Sequence, residues 1–254
     1  MISKSTIKLL RSLSVKKYRL KEKLFLIEGT RLFSEALKSN YPIKHIWVLE
    51  ETIENSSIQK LLTEFRTSKT PIDIVSQIEI KQISETIQSQ GIVGIAQIPE
   101  ISTHKDWNQN LLILDRISDP GNLGTLLRTA EWFGIKTVIL SENCADLFNP
   151  KVVRSAMGAH FYQRIFQTNL FDLCDDLLKS NYSIIGGLMD GESLESLDIS
   201  DNNWALILGS EAHGIDENLV SKCTHKVTIP KFGNLESLNV TSAGGILLHE
   251  LKNR

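Results

Sequence analysis

Cysteine is scarce in this chain and never paired. Cys144, Cys174 and Cys223 are the only three in 254 residues, an odd number with no close spacing. That excludes a disulfide framework and a structural zinc site, and the thiols read as buried groups in a reducing compartment. No apolar run approaches the ~20 residues of a membrane span, and the first residues carry charge where a signal peptide needs an apolar core. The expectation is a cytoplasmic protein with no membrane partner. No G-x-G-x-x-G follows a strand and no G-x-x-x-x-G-K-[ST] occurs, which disfavours a dehydrogenase-type dinucleotide site and a phosphate loop. The six histidines show no ligand spacing, so no metal is expected. Internal repeats and low-complexity segments are also missing.

What is present is a composition typical of soluble globular proteins, 41% hydrophobic and 23% charged. The length suits two ordinary domains or one large one. The net charge of -2 hides an asymmetry: residues 1–31 hold nine Lys or Arg against two Glu, so this arm is +7 and the remainder -9. Within it, Lys16, Lys17, Tyr18, Arg19, Lys21 and Lys23 interleave bases with an aromatic ring. That pattern suits phosphate contact and stacking, although taken alone the basic arm reads better as a solvated helical face.

Strand and helix alternate over the first hundred residues. Helices are expected at 2–13, 30–38 and 58–65, and strands at 24–27, 43–49, 72–75 and 92–98, which together imply a small α/β sandwich. Residues 99–110 are polar and aperiodic, and read as a linker, giving domains 1–104 and 105–254. The second domain resumes the rhythm, with strands at 111–115, 136–140, 183–188, 204–208 and 226–229. Its helices are expected at 122–133, 170–179 and 238–252, with another opening after Asn149 on Pro150.

Three loops stand at the ends of three of these strands. The first, after 111–115, carries Asp119, Pro120, Gly121 and Asn122 and leads into a helix bearing Arg128. Gly121, Gly124 and Arg128 share one stripe, so the guanidinium can lie back over the first turn towards Asn122. A surface arginine is the plain alternative. The second loop runs from Gly209 to Ile215, with two glycines around Glu211, which suits a ribose hydroxyl or a hold on Arg128. His213 reads as loop structure. The third holds Ile229, Pro230, Ser237, Leu238 and Asn239 before a glycine-containing helix. Ser237 and Asn239 suit either caps or substrate contacts.

Together the three loops resemble the SpoU (TrmH-type) 2′-O-ribose RNA methyltransferases of the SPOUT superfamily. Asn122, Leu123 and Gly124 through Arg128 match the first motif, residues 208–214 the second, and Ile229, Pro230 and 237–240 the third. Lys231 departs from the usual methionine. The first domain, with residues 25–29 and 91–93, is similar to an L30e-like α/β sandwich that binds RNA. The resemblance implies a C-terminal α/β domain with a deep trefoil knot, a homodimer, and S-adenosylmethionine as cofactor. It assigns Gly209, Gly214, Ile229, Leu238 and Leu188 to that cofactor, and Arg128, Asn122, Glu211, Ser237 and Asn239 to catalysis. Lys16, Lys17, Arg19 and Arg154 are the expected RNA-binding residues. The implied reaction is methylation of a ribose 2′-hydroxyl, in ribosomal RNA before transfer RNA. A dimeric RNA-binding protein that keeps the knot without catalysis is the alternative.

Overall fold

The structure, a computed structural model, describes all residues except 87, 101–107, 195, 196, 198 and 200–202. These residues separate into two compact units. One comprises 1–100 and 146–161, and the other the described residues of 101–145 and 162–254. Segment 146–161 thus packs with the first unit, although the sequence reading placed it in the second domain. Most of the expected linker, 101–107, lies outside the described residues.

The first unit contains α1 (Lys4–Ser12), α2 (Lys16–Glu22), β1 (Leu24–Glu28), α3 (Thr30–Lys38), β2 (Ile43–Leu49), α4 (Ser56–Thr67), β3 (Ile72–Val75), α5 (Gln77–Ile83) and β4 (Ile92–Gln97). Its sheet runs β1-β4-β2-β3, antiparallel except for the β2/β3 pair. Period-two alternation sends strand residues to opposite faces. Leu26, Trp47 and Val93 pack with Leu10 of α1, Leu13 just after it and Ile80 of α5. The Phe25 ring instead meets Tyr41 and Phe148, with centroids 6.2 and 4.8 Å away. His160 is buried behind Phe148, and burial pushes its imidazole down to about 4, so it stays neutral near pH 7.

Two short helices, α2 and α5, escape the sequence reading. The Ser76–Glu79 capping box opens α5. On α2 the alternation of bases corrects one expectation. Arg19 is only 2% exposed. Its Nη2 donates to Asp146 Oδ2 at 2.8 Å and its Nη1 to the Leu13 carbonyl at 2.5 Å. A guanidinium so engaged holds α2 to the rest of its unit and is withdrawn from RNA binding, whereas Lys16 and Lys17 are exposed.

The second unit contains β5 (Leu111–Asp115), α6 (Pro120–Trp132), β6 (Thr137–Leu140), β7 (Arg164–Gln167), α8 (Leu170–Lys179), β8 (Ser183–Ser193), β9 (Trp204–Gly209), α9 (Glu217–Lys222), β10 (His225–Thr228) and α10 (Val240–Lys252). The remaining helix, α7 (Pro150–Ala156), belongs to the first unit. Strand order is β10-β8-β9-β5-β6-β7, with every adjacent pair parallel. Such strands are buried on both faces; in β5, Leu111, Leu112, Ile113 and Leu114 have no exposed surface. The edge strand β7 and the six-residue α9 are additions to the expected set, both too short for periodicity to mark. No helix among the described residues is long and apolar enough to cross a membrane.

Candidate active site

The second unit's site is built at the carboxyl ends of β5, β9 and β10, the face where open parallel sheets take ligands. After β5, Asp119 caps α6 by accepting from the Asn122 amide at 2.8 Å, with Pro120 in the first turn. This starts the helix two residues earlier than expected and leaves the Asn122 side chain free to point elsewhere. After β9, the loop closes on itself through the Gly214 amide and the Ser210 carbonyl, 2.8 Å apart. A Cβ on Gly209 would lie 2.1 Å from the Gly214 carbonyl carbon, so only glycine fits there. After β10, Asn239 caps α10 and accepts from the Thr241 amide at 2.9 Å. The helix begins at Val240, later than the expected 238, and Ser237 lies outside it.

These loops converge on one carboxylate. Glu211 Oε1 accepts from Asn122 Nδ2 at 3.1 Å, from the Val240 amide at 3.3 Å, and from Asn239 Nδ2 in a short contact. Asn239 Nδ2 also stands 3.4 Å from Asn122 Oδ1. An anion at the first turn of α10 is favoured by the helix dipole and by the otherwise unpaired amide of that turn. Glu211 therefore holds the two asparagines, and the reading in which it holds Arg128 is not what the structure shows.

A second set of contacts ties the first loop to the second, and sequence reasoning missed it. Asp115, 3% exposed at the end of β5, accepts from the Asp216 amide at 3.0 Å. Arg116, in the left-handed region at φ 57°, places Nε 3.2 Å from Asp115 Oδ2 and Nη1 3.5 Å from Asp216 Oδ2. Its Nη2 donates to the Gly214 carbonyl at 3.4 Å. The available signal was an acidic and a basic residue terminating an otherwise apolar strand.

The other expected residues are placed differently. Arg128 is exposed on α6, and neither its side chain nor that of Ser237 makes a hydrogen bond or ion pair among the described residues. Leu188 on β8 and Ile229 beyond β10 are half-buried, and Leu238 is 49% exposed. The backbone amides of 231–238 make no hydrogen bond among the described residues. Arg154, half-buried, lies with Lys16 and Lys17 in the first unit. Gly244 of α10 is explained by side chains and not by a passing backbone: a Cβ there would lie 2.7 Å from Leu126 of α6 and 2.9 Å from Leu208 of β9. Among the described residues, no cluster of His, Cys, Asp and Glu is arranged to hold a metal.

The sequence and fold have known counterparts. Residues 109–249 match the SpoU rRNA Methylase family, and residues 4–94 an MRM3-like substrate binding domain. The chain is 34% identical to the 23S rRNA (guanosine(2553)-2′-O)-methyltransferase RlmP of Bacillus subtilis (strain 168), across 95% of this chain and 94% of that one. An AdoMet-bound rRNA methyltransferase from Sinorhizobium meliloti superposes with a TM-score of 0.83 at 26% identity, covering 100% and 97% of the two chains. The SpoU methyltransferase AviRb of Streptomyces viridochromogenes, at 21% identity, shares the fold with a TM-score of 0.86 over 99% and 98%. The chain belongs to the SpoU rRNA methylase family.

Replacing Gly209 by Ala forces backbone against backbone and should lower stability by about 1–3 kcal/mol in urea denaturation. Gly233→Ala, in open space, should leave the midpoint nearly unchanged. Equal midpoints for the two variants would refute the packing argument for the second loop.

Proposed function

We propose that this chain transfers the methyl group of S-adenosylmethionine to a ribose 2′-hydroxyl of ribosomal RNA in the cytoplasm. The observation that carries the reading is the convergence of Asn122, Glu211 and Asn239 from three separate loops. It is supported by family membership and by the rRNA 2′-O-methyltransferase and AdoMet-bound relatives.

The residues present fit the cofactor. Residues 231–238 offer backbone amides that make no hydrogen bond among the described residues, while Leu188, Ile229 and Leu238 offer partly exposed apolar surface. Donors that the fold leaves unsatisfied suit the polar groups of a nucleoside, and the leucines and isoleucine its ring. Gly209 and Gly214 keep the second loop thin enough for close backbone approach. When bound, S-adenosylmethionine supplies an electrophilic methyl on a sulfonium. The trefoil knot expected of the family fits the same all-parallel strand order.

The attacking hydroxyl is a poor nucleophile until its proton is leaving, so charge developing on oxygen must be stabilised. Arg128 serves this role: a guanidinium is permanently protonated, which suits it to orient the hydroxyl and an adjoining phosphate and unsuits it as a base. Glu211 keeps Asn122 and Asn239 in fixed positions, so their geometry exists before the RNA arrives. Ser237 completes the polar set as a substrate contact.

RNA affinity comes from the first unit through Lys16, Lys17 and Arg154, with Arg19 removed from the set. The chain acts as a homodimer through α6 and α10, which pack together and carry Trp132 and Ile246 at 85% and 41% exposure. Sedimentation of Trp132→Glu at micromolar concentration should yield a monomer from a dimeric parent. A dimer that persists would move the interface elsewhere.

Arg128→Lys should retain RNA affinity and lose most turnover, about 100-fold or more, when methyl incorporation into ribosomal RNA is followed with labelled cofactor. Unchanged turnover would remove Arg128 from the reaction. Lys16→Ala with Lys17→Ala should weaken binding to all RNA sequences alike and flatten the slope of log K against log salt by about 1–2. An unaltered slope would exclude these lysines from phosphate contact.

A further inference from the structure

The second unit carries an open cleft of about 380 Å³ beside the Glu211 cluster, within the roughly 300–1,000 Å³ of small-molecule sites. Its lining includes Ser118, Asp119, Asn143, Glu211 and His213. The cleft overlaps only in part with the residues assigned to the cofactor. Those lie on β8 and in the stretches after β9 and β10, whereas the cleft draws on the loops after β5 and β6, with the loop after β9 and Val240 of α10 common to both regions. Glu211 lines the cleft and bonds Asn239 of the third loop, so it stands where the two regions meet.

The electrostatics of the cleft select its occupant. Two carboxylates, Asp119 and Glu211, form part of its wall. Its one arginine, Arg116, lies between Asp115 and Asp216 at 3.2 and 3.5 Å, so its charge is already compensated. A phosphate would meet acidic walls without a free cation, and is disfavoured. A neutral planar group with N–H donors on its edge is favoured. The side chains of Asn143 and His213 are exposed and make no hydrogen bond among the described residues. Between them they offer donors, acceptors and a ring for stacking, the means by which unpaired bases are read.

We propose that this cleft receives the base of the target nucleotide, turned out of the RNA structure, and that Asn143 and His213 read its edge. The inference rests on the methyltransferase reading, and it adds where the acceptor lies and which residues choose it: Asn143, outside the family motifs, and His213, at a position of the second motif to which the resemblance gives no role. Turning the base out breaks pairing and stacking in a paired region and little in a loop, so the substrate is an unpaired or distorted nucleotide.

The first test needs no known target. The isotopically labelled full chain is titrated with guanosine, adenosine, cytidine and uridine, and separately with inorganic phosphate, while the Asn143 side-chain amide and His213 ring signals are followed by NMR. At least one nucleoside at millimolar concentration should move both signals, and phosphate should not. Response to phosphate alone, or to nothing, overturns the proposal. In the second test, ribosomal RNA fragments carrying each of the four bases at the methylated position are assayed with the parent, Asn143→Ala and His213→Ala. The parent should prefer one base, and each variant should lose at least 10-fold of that preference while cofactor affinity by calorimetry stays within 2-fold. Preference retained in both variants would refute the role of these residues. Absence of any methyl transfer by the parent would strike the methyltransferase reading instead, and a nucleoside response in the first test would still report the cleft's occupant.

Discussion

One carboxylate oxygen holds the site together. Glu211 Oε1 gathers the Asn122 amide, the Asn239 amide and the first backbone amide of α10. Hydrogen bonds to an ionised acceptor are worth about 1.5–3 kcal/mol each, and their partners cost more when left unmatched. The side chain is exposed, which discounts that range for competition with water. The geometric effect remains: chain segments separated by 89 and 28 residues are fixed to one point. Their own folding reinforces this, since Asn239 also caps α10 and the Asn122 amide completes the cap of α6.

A second anchor lies beneath. Buried Asp115 would be costly if unpaired, and the chain satisfies it with the Asp216 amide and the adjoining guanidinium of Arg116. Arg116 adopts a left-handed backbone and reaches the Gly214 carbonyl. The loops after β5 and β9 are thereby locked as a pair, and strand pairing between β5 and β9, down to Asp115 opposite Gly209, sets their register.

Much of this was legible in the residues, for specific reasons. Apolar runs bounded by turn residues marked β5, β6, β8 and β9, because buried parallel strands need continuous apolar sequence. Helix α3 and strand β2 were readable to their ends. The basic run of α2 was misleading: its charge was visible, but the burial of Arg19 depends on Asp146, which is 127 positions away. The same long-range packing carries segment 146–161 into the first unit. Loop motifs singled out Asn122, Glu211 and Asn239, and the structure brings these three side chains into contact. Which of them touch was not legible, because side-chain pairing across loops depends on register in the sheet.

The distribution of unsatisfied groups separates scaffold from chemistry. Native folds pair nearly all their buried polar atoms, and here the capping residues, Asp115 and Arg116 are engaged. Among the described residues, the groups of the proposed site without a hydrogen-bond or ion-pair partner are Arg128, Ser237, the 231–238 amides and the side chains of Asn143 and His213. All are exposed or at a surface, where water satisfies them at little cost. A catalyst gains from donors whose positions are set by rigid neighbours but whose hydrogen-bonding capacity is unspent, because little reorganisation is then needed as charge develops. Arg128 meets that description from a regular helix whose apolar face, Leu123, Leu126 and Leu127, is fully buried. Its backbone is set by a packed helix and its guanidinium makes no hydrogen bond or ion pair among the described residues, a state shared with any solvated helical arginine and compatible with the role proposed for it at a sugar hydroxyl.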